Sequence, residues 1–327
     1  MTRSLVIGGT LFIGRALVRR LLARGEQVTL LHRGRGNPFA GKADEIHCDR
    51  NDAAAMTEAL AGHRFDVVYD NVYDWQRGTT AEQVEAAATA VADGLRRYIF
   101  VSSVAVYRPG ENLTEDAPLA AADDQEDYPR NKANTERMLF RLHRERGFPA
   151  VTLRPPYVYG PENPFYREAF FWDRLLDERP ILTPEDGSRW MQFVLADDVA
   201  RAAIAAADTE AASGCAYNVC SDQPITQNEL VEALAKVAGR RARLVHVPRQ
   251  RLLEMGGGLF APPYYFAQFF DMPPITQSNA RARGELEFEP TPFEEGLARA
   301  FEWYRRQERP AADYAWEDRV LAAVAGS

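Results

Sequence analysis

The stretch LVIGGTLFIG, residues 5–14, joins a short apolar run to a helix pattern through three glycines. Residues 5–7 form the apolar run, and in the segment 14–24 apolar side chains recur four positions apart. An apolar strand that turns through glycines into an amphipathic helix is typical of the first unit of a parallel α/β fold. Glycine lets a bound group approach the backbone because it carries no Cβ, and the helix N-terminus that follows attracts negative charge. The stretch therefore predicts a pyrophosphate-binding turn for a dinucleotide, with an ordinary glycine turn as the alternative.

The rest of the first 155 residues repeats this alternation of strand and helix. Apolar runs occur at 28–31, 45–48, 67–69, 98–101 and 151–153, and helix patterns at 53–61, 80–94 and 128–146. Continuous apolar strands separated by helices indicate a parallel sheet that is covered on both faces. The predicted fold class is α/β, a doubly wound parallel sheet (Rossmann fold) with a smaller C-terminal substrate lobe.

The alternation stops near residue 160. Prolines at positions 161, 164, 180 and 184 interrupt an aromatic-rich segment, which therefore cannot be one long helix. We expect a dinucleotide-binding domain at 1–160 plus about 190–222, a substrate-binding lobe at 161–189 plus about 223–310, and a C-terminal helical tail at 311–327.

Composition restricts the class of protein. The 327 residues are 46% hydrophobic and 26% charged, which is too apolar for a disordered chain, and the net charge of −8 argues against nucleic acid as a partner. The three cysteines, Cys48, Cys215 and Cys220, indicate neither a disulfide framework nor a shared metal ion, and we predict no metal site. Because the chain has no apolar stretch of about 18 residues and no signal-peptide cleavage pattern, we expect no membrane association and a cytoplasmic location.

The end of the second strand bears on the choice of nucleotide. Many NAD sites place a carboxylate there to hold the ribose 2′-hydroxyl, but the stretch LLHRGR, residues 30–35, contains Arg33 and Arg35 instead. A guanidinium suits the 2′-phosphate of NADP. NADP is therefore favoured as the cofactor, with NAD as the alternative, unless the two arginines are simply surface residues.

Three side chains predict proton transfer at the carboxyl edge of the sheet. Tyr128 and Lys132 stand four positions apart and so share one face of the predicted helix 128–146. An ammonium group beside a phenol favours the ionised phenol, which would bring its pKa of ~10 closer to neutrality. Ser103 follows the buried strand 98–101, where its hydroxyl could bind a substrate oxygen or satisfy a backbone group.

Together these residues resemble the extended short-chain dehydrogenase/reductase superfamily, in its NAD-dependent epimerase/dehydratase branch. The resemblance runs from Leu5 to about Arg306 and includes CDR (48–50), LRPPYVYGP (153–161), FVLADDVA (193–200), YNV (217–219) and FEEGL (293–297). It implies that Tyr128 is the general acid/base, that Lys132 holds the nicotinamide ribose and acidifies Tyr128, and that Ser103 orients the reacting oxygen.

The resemblance also implies a set of nucleotide contacts. Asp49 would contact adenine, and the backbone around Pro155 would border the nicotinamide. The catalytic prediction is Ser103, Tyr128 and Lys132, and the predicted cofactor-binding residues are Gly8, Gly9, Thr10, Leu11, Phe12, Ile13, Gly14, Arg33, Asp49, Asn71, Tyr128, Lys132 and Pro155.

Some positions depart from the family pattern. Leu11 replaces the middle glycine of the phosphate loop, which predicts a crowded approach for the pyrophosphate. Val104 and Ala105 replace the acidic pair of the sugar 4,6-dehydratases, which argues against that elimination. Met191 replaces an arginine that meets the substrate diphosphate, which puts a nucleoside-diphosphate sugar in doubt. The fourth strand ends in YDNV, residues 69–72, so we expect its carboxylate near the cofactor channel.

The predicted function is that of an NAD(P)-dependent oxidoreductase or epimerase acting on a hydroxyl or keto group of a small, polar, sugar-like substrate. The alternative is a cofactor-binding regulatory or RNA-associated protein, similar to the stem-loop-binding proteins that share the glycine turn. A third candidate is a reductase for bulkier aromatic substrates, suggested by Phe165, Phe170, Phe171 and Trp172. We also expect a homodimer formed through helices 80–94 and 128–146, because these correspond to the helices that relatives pair.

Overall fold

The chain forms a parallel sheet with helices on both faces and a second group of smaller elements beside it. The computed structural model describes residues 1–260, 267–309 and 311–326. Its strands are β1 (Arg3–Ile7), β2 (Gln27–His32), β3 (Asp44–His47), β4 (Val67–Asp70), β5 (Arg97–Val101), β6 (Gly110–Leu113), β7 (Ala150–Arg154), β8 (Tyr157–Tyr159), β9 (Ile181–Pro184), β10 (Trp190–Met191), β11 (Phe193–Leu195), β12 (Ala216–Asn218), β13 (Ile225–Thr226), β14 (Leu244–Val247) and β15 (Ile275–Gln277).

The helices alternate with these strands along the chain. They are α1 (Phe12–Ala23), α2 (Ala53–Leu60), α3 (Ala81–Ala90), α4 (Asp127–Arg146), α5 (Glu168–Leu176), α6 (Ala196–Asp208), α7 (Gln227–Val237), α8 (Arg249–Glu254), α9 (Ala280–Leu286), α10 (Phe293–Tyr304) and α11 (Ala315–Ala325). Residues 261–266 and 310 of the predicted lobe, and residue 327 of the predicted tail, lie outside the described residues.

The central sheet has seven strands in the order β12-β7-β5-β4-β1-β2-β3, and each neighbouring pair is parallel. Every residue of β5 and of β7 is buried. Because both faces of such a sheet are covered, its strands are continuous apolar runs rather than alternating ones. The predicted doubly wound Rossmann fold is confirmed. Between β1 and β4 the strand order reverses direction, and sheets of this kind bind ligands outside the carboxyl ends at that point.

Two layers of helices cover the sheet. Helices α1 and α6 lie on one face, and α2, α3 and α4 lie on the other. On β1, Val6 packs toward the first layer, whereas Leu5 and Ile7 pack toward the second, and all three side chains are fully buried. Each such burial contributes about 1.5–3 kcal/mol to folding. The β1 strand is thus held from both sides, which fixes the position of the glycine turn that follows it.

Helix α4 places the predicted catalytic residues at the edge of the sheet. It starts at Asp127 and ends before Gly147, whose φ of +67° stops the helix in the left-handed conformation that glycine adopts readily. Tyr128 and Lys132 therefore lie in its first two turns, beside the carboxyl ends of the strands.

A second apolar cluster combines side chains from α5, β9, α7, α10 and α11. Phe170, Phe171 and Trp172 lie inside this cluster, each no more than 2% exposed. Helix α11 is attached to it by an ion pair, in which Arg174 Nε lies 2.6 Å from Glu317 Oε1. The three aromatic residues of α5, expected as candidates for binding a bulky substrate, pack the interior of the lobe instead, because the helix buries that face.

Within the described ranges, no helix combines the length and the apolar character needed to cross a bilayer.

Candidate active site

The glycine turn between β1 and α1 is tight at two positions. Gly8 has a φ of +89°, and a Cβ placed there would lie 2.3 Å from Val72 Cγ2. A Cβ on Gly14 would lie 2.0 Å from the Gly8 carbonyl oxygen and 3.0 Å from Asn71 Nδ2. The backbone after β1 therefore comes as close to the end of β4 as glycine allows, and Asn71 lies directly against the turn.

The N-terminus of α1 opens toward this turn. Its N-cap is Leu11, no side chain caps the helix, and its first turn has no acidic residue. The first backbone N–H groups of a helix have no partner within it, so an uncapped start offers them to an anion. Leu11 is 65% exposed. Its side chain therefore projects away from the protein at the start of the helix, and the crowded approach for the pyrophosphate stays a prediction.

An ion-pair network lies beyond the end of β2. Arg33 Nη1 is 3.4 Å from Asp74 Oδ2, and Arg77 Nη2 is 2.7 Å from the same oxygen and 2.8 Å from Asp49 Oδ2. Arg35 is exposed. Although partial burial opposes it, the hydrogen bonds from Asn51 N and Arg77 lower the pKa of Asp49. The structure thus links Arg33 and Asp49, two predicted cofactor residues, through Asp74 and Arg77, which the sequence did not indicate.

A group of three polar side chains occupies the ends of β2 and β3. His32 Nε2 and His47 Nε2 each lie 3.0 Å from Glu45 Oε2, and His32 Nδ1 accepts a hydrogen bond from Gly34 N at 3.1 Å. Each of the three residues offers one atom that could bind a metal ion, and these atoms lie within 4.8 Å of one another. In the described part of the chain, these three residues are the group that could hold a metal ion. Sequence reasoning missed it because two separate strands contribute the residues.

Ser103 takes the backbone role, one of the two that the sequence left open. It caps a short 3-10 turn, Val104–Val106, where its Oγ accepts a hydrogen bond from Ala105 N at 3.1 Å. It also lies close enough to the Tyr128 hydroxyl to lower the pKa of that group. Pro155 lies beside the same turn, since its carbonyl accepts a hydrogen bond from Val104 N at 2.9 Å. Ser103, Tyr128 and Pro155 are therefore brought together at the carboxyl ends of β5 and β7.

Lys132 lies beneath this group and contacts the backbone. Its Nζ donates to the Val101 carbonyl oxygen at 2.7 Å and is 4.5 Å from the centre of the Phe100 ring. The side chain is 4% exposed, and burial lowers its pKa to about 8, although the charge of Asp70 acts in the opposite direction.

The electrostatics of Tyr128 differ from the expectation. Burial raises its pKa to about 12, the hydrogen bond from Ser103 lowers it, and the neighbouring Tyr73 raises it further. The expected acidification by Lys132 is therefore wrong for this structure, because the ammonium group is bound to the Val101 carbonyl rather than to the phenol. At neutral pH the Tyr128 hydroxyl retains its proton.

The carboxylate at the end of β4 does not face the channel. Asp70 is fully buried and accepts hydrogen bonds from Arg50 Nη2 at 2.5 Å and Tyr98 Oη at 2.7 Å. A buried carboxylate is stable only when it is paired, and Arg50 provides the pairing charge. The carboxylate expected near the cofactor channel is therefore buried and paired, although its charge still acts on Lys132, and Asn71 is the polar residue of this strand end that reaches the turn.

Aromatic side chains continue outward from Tyr128. The Trp75 ring stacks on the Tyr128 ring, with centroids 4.6 Å apart and an interplanar angle of 29°. Phe165 meets Trp75 edge-on at 5.8 Å, and Phe269 meets Phe165 at 5.5 Å. Phe260 extends the series, 5.5 Å from Phe269. Of the aromatic residues named from the sequence for a bulky substrate, Phe165 alone belongs to this series.

Comparisons with known proteins show which family this chain is similar to. The model of the NAD-dependent epimerase/dehydratase family matches residues 4–220. The chloroplast stem-loop binding protein of 41 kDa b from Arabidopsis thaliana is 33% identical over 72% of this chain, and the match spans 63% of that relative, less than two thirds of its length. The 2-alkyl-3-oxoalkanoate reductase of Stenotrophomonas maltophilia is 28% identical over 72% of this chain and 76% of its own.

Among solved structures, the UDP-glucose 4-epimerase of Thermotoga maritima superposes with a TM-score of 0.77, covering 93% of this chain and 99% of its own. Its sequence identity to this chain is 22%, so the likeness shows the fold alone.

Proposed function

The chain belongs to the NAD-dependent epimerase/dehydratase family, and from this premise we propose that it is an NAD(P)-dependent oxidoreductase that interconverts a carbonyl and a hydroxyl group on a small organic molecule. One observation carries the proposal. The Tyr128 phenol stands beside Ser103 at the carboxyl edge of the sheet that also carries the glycine turn. A protonated phenol paired with a serine hydroxyl at a nucleotide-binding edge suits proton transfer to a substrate oxygen.

The residues around the turn fit a dinucleotide. A Cβ on Gly8 or Gly14 would collide with Val72 or with the Gly8 carbonyl oxygen, so the glycines keep the turn compact, and the start of α1 beside it has no side-chain cap. Residues 8–14 and Asn71 would hold the pyrophosphate, Asp49 the adenosine half, and Lys132 with Pro155 the nicotinamide half. When bound, the nicotinamide supplies or accepts the hydride.

The protein's own contribution is to place and move a proton. Ser103 would hold the substrate oxygen beside the Tyr128 hydroxyl, which donates its proton to that oxygen during carbonyl reduction. A pKa raised to about 12 keeps the phenol protonated before the reaction and makes it a general acid at neutral pH. The phenolate that forms would be stabilised by the Ser103 hydroxyl.

The choice between NAD and NADP is a separate part of the proposal. The family description specifies NAD. A preference for NADP is supported by Arg33 and Arg77, two guanidinium groups that share Asp74 near the end of β2. Titration of NADPH and NADH against the wild-type protein decides this point, and equal affinities would remove the preference.

Replacing Tyr128 tests the catalytic role. We expect Tyr128→Phe to lower the rate of NADPH- or NADH-dependent carbonyl reduction at least about 100-fold, while nucleotide affinity stays within about threefold of wild type. Tyr314→Phe is the matched control, since Tyr314 bonds Asp177 on the far side of the lobe. Equal rates for wild type and Tyr128→Phe would overturn the proposed role.

The RNA-binding alternative rests on the plant relative, which is named as a stem-loop binding protein. The net charge of −8 favours the enzyme. A gel-shift assay with stem-loop RNA near physiological ionic strength separates the two, because RNA binding without turnover of any carbonyl compound would favour the alternative.

A further inference from the structure

A row of aromatic side chains leads away from the proposed reaction position. We call Trp75, Phe165, Phe269 and Phe260 the aromatic row. Each member contacts the next with ring centroids 5.5–5.8 Å apart, and Trp75 stacks on Tyr128. The row therefore begins on the Tyr128 ring, whose hydroxyl lies near Ser103.

The two ends of the row are unusually exposed for their size. Trp75 is 56% exposed and Phe260 is 51% exposed, whereas the large aromatic side chains of α5 are buried. Exposed aromatic groups that form a continuous surface are typical of a ligand-binding region, because leaving them in water is unfavourable. Stacking between rings also depends on geometry, so such a surface favours flat ligands.

Trp75 is held in place by the loop that carries it. The Asp74 carboxylate accepts hydrogen bonds from Gln76 N and Arg77 N at 3.0 Å each, and Asp74 N donates to Thr79 Oγ1 at 3.0 Å. Gly78 N closes the turn on the Asp74 carbonyl at 2.8 Å. A ring on a hydrogen-bonded turn loses little freedom on binding a ligand, which increases affinity.

Two guanidinium groups of the lobe are paired with carboxylates. Arg167 Nε bonds Glu168 at 2.6 Å, and Arg189 Nη1 bonds Asp271 at 2.9 Å. Met191 is 3% exposed, at the position where the resemblance has an arginine for the substrate diphosphate. The described surroundings therefore suit an uncharged, apolar ligand better than a nucleoside-diphosphate sugar.

We propose that the aromatic row binds a planar apolar group of the substrate, which makes aryl ketones and aryl aldehydes the preferred substrate class. This inference rests on the proposed function, because it takes the neighbouring residues Ser103 and Tyr128 as the position of the carbonyl. The carbonyl oxygen lies at that pair while the aryl ring stacks on Trp75.

The first test compares two ketones of similar size, acetophenone and cyclohexyl methyl ketone. The wild-type enzyme should prefer acetophenone about tenfold in kcat/KM, since a planar ring stacks and a puckered ring does not. Trp75→Ala should remove this preference, and Trp75→Phe should keep most of it. Trp190→Ala is the matched control, since Trp190 is 40% exposed on β10, apart from the row.

The second test measures binding without turnover. In isothermal titration calorimetry, 1-phenylethanol should bind the wild type about tenfold more tightly than 1-cyclohexylethanol, and Trp75→Ala should abolish the difference. Equal affinities in the wild type, or an equal loss in Trp190→Ala, would overturn the role of the aromatic row.

The outcomes separate this inference from the proposed function. Suppose that 1-phenylethanol binds in a way that depends on Trp75, but no ketone is reduced by NADPH or NADH. This result would support the aromatic row and refute the oxidoreductase. Turnover of keto sugars, with equal kcat/KM for acetophenone and cyclohexyl methyl ketone in the wild type, would refute the aromatic row and leave the oxidoreductase standing.

Discussion

Replacing Gly14 with alanine should abolish nucleotide binding while the chain remains folded. The new Cβ would lie 2.0 Å from the Gly8 carbonyl oxygen. Non-bonded carbon and oxygen atoms do not approach closer than about 3 Å, so the two backbone segments must separate by about 1 Å. A displacement of about 1 Å at a positioned site lowers affinity or rate about 100-fold. We therefore expect the dissociation constants of NADPH and NADH to rise about 100-fold in Gly14→Ala.

Gly284→Ala provides the control for this experiment. Gly284 lies in α9, and a Cβ there would meet no atom within 4 Å. The same chemical change should therefore leave nucleotide affinity unchanged and raise the free energy of unfolding by about 0.4–1 kcal/mol. Calorimetric titration measures the affinities, and circular dichroism verifies that both variants are folded. If Gly14→Ala is folded and its nucleotide affinity is within threefold of the wild-type value, the glycine turn is not the nucleotide-binding site.

Three further predictions concern charge. Arg33→Ala should lower the ratio of NADPH to NADH affinity about tenfold in fluorescence titrations, and an unchanged ratio would exclude Arg33 as the phosphate contact. Glu136→Gln should lower the free energy of unfolding in urea by about 3–5 kcal/mol, because it leaves the charge of Arg154 buried without its partner. Arg154 is 3% exposed and bonds the Glu136 carboxylate at 2.5 Å. A loss below about 1 kcal/mol would contradict this. The pKa of Lys132 is about 8 in the folded chain and 10.5 in the unfolded chain, so between these two pH values the unfolded chain binds more protons. The free energy of unfolding should therefore rise by about 3 kcal/mol as the pH increases through this range. Lys132→Met should remove that rise, and identical pH profiles for the two proteins would show that Lys132 is not the group responsible.

The sequence predicted those features that depend on neighbouring residues. The turn from β1 into α1 was recognisable because strand, glycines and helix follow one another within ten residues. The spacing of Tyr128 and Lys132 predicted their common helix face for the same reason. Ser103 was found from its place after a continuous apolar strand, and the alternation of strands and helices predicted the fold.

The features that the sequence did not predict depend on contacts between distant segments. Trp75 and Arg77 lie in a loop without periodicity, and their importance follows from contacts with Tyr128 on α4 and with Asp49 after β3. The pKa of Tyr128 could not be inferred from helix spacing, because it depends on the burial of the phenol and on whether the Lys132 ammonium faces it. Side-chain direction of this kind is set by tertiary packing.

The double ion pair of Arg77 has a consequence for protein engineering. This guanidinium bridges Asp49, expected beside the adenine, and Asp74, the residue that precedes Trp75 and shapes its loop. On the two proposals above, coenzyme selectivity and substrate selectivity share one side chain. A library selected solely for switched coenzyme use should yield Arg77 variants whose KM for the carbonyl compound has also changed, and unaltered KM values in such variants would show that the two properties are independent.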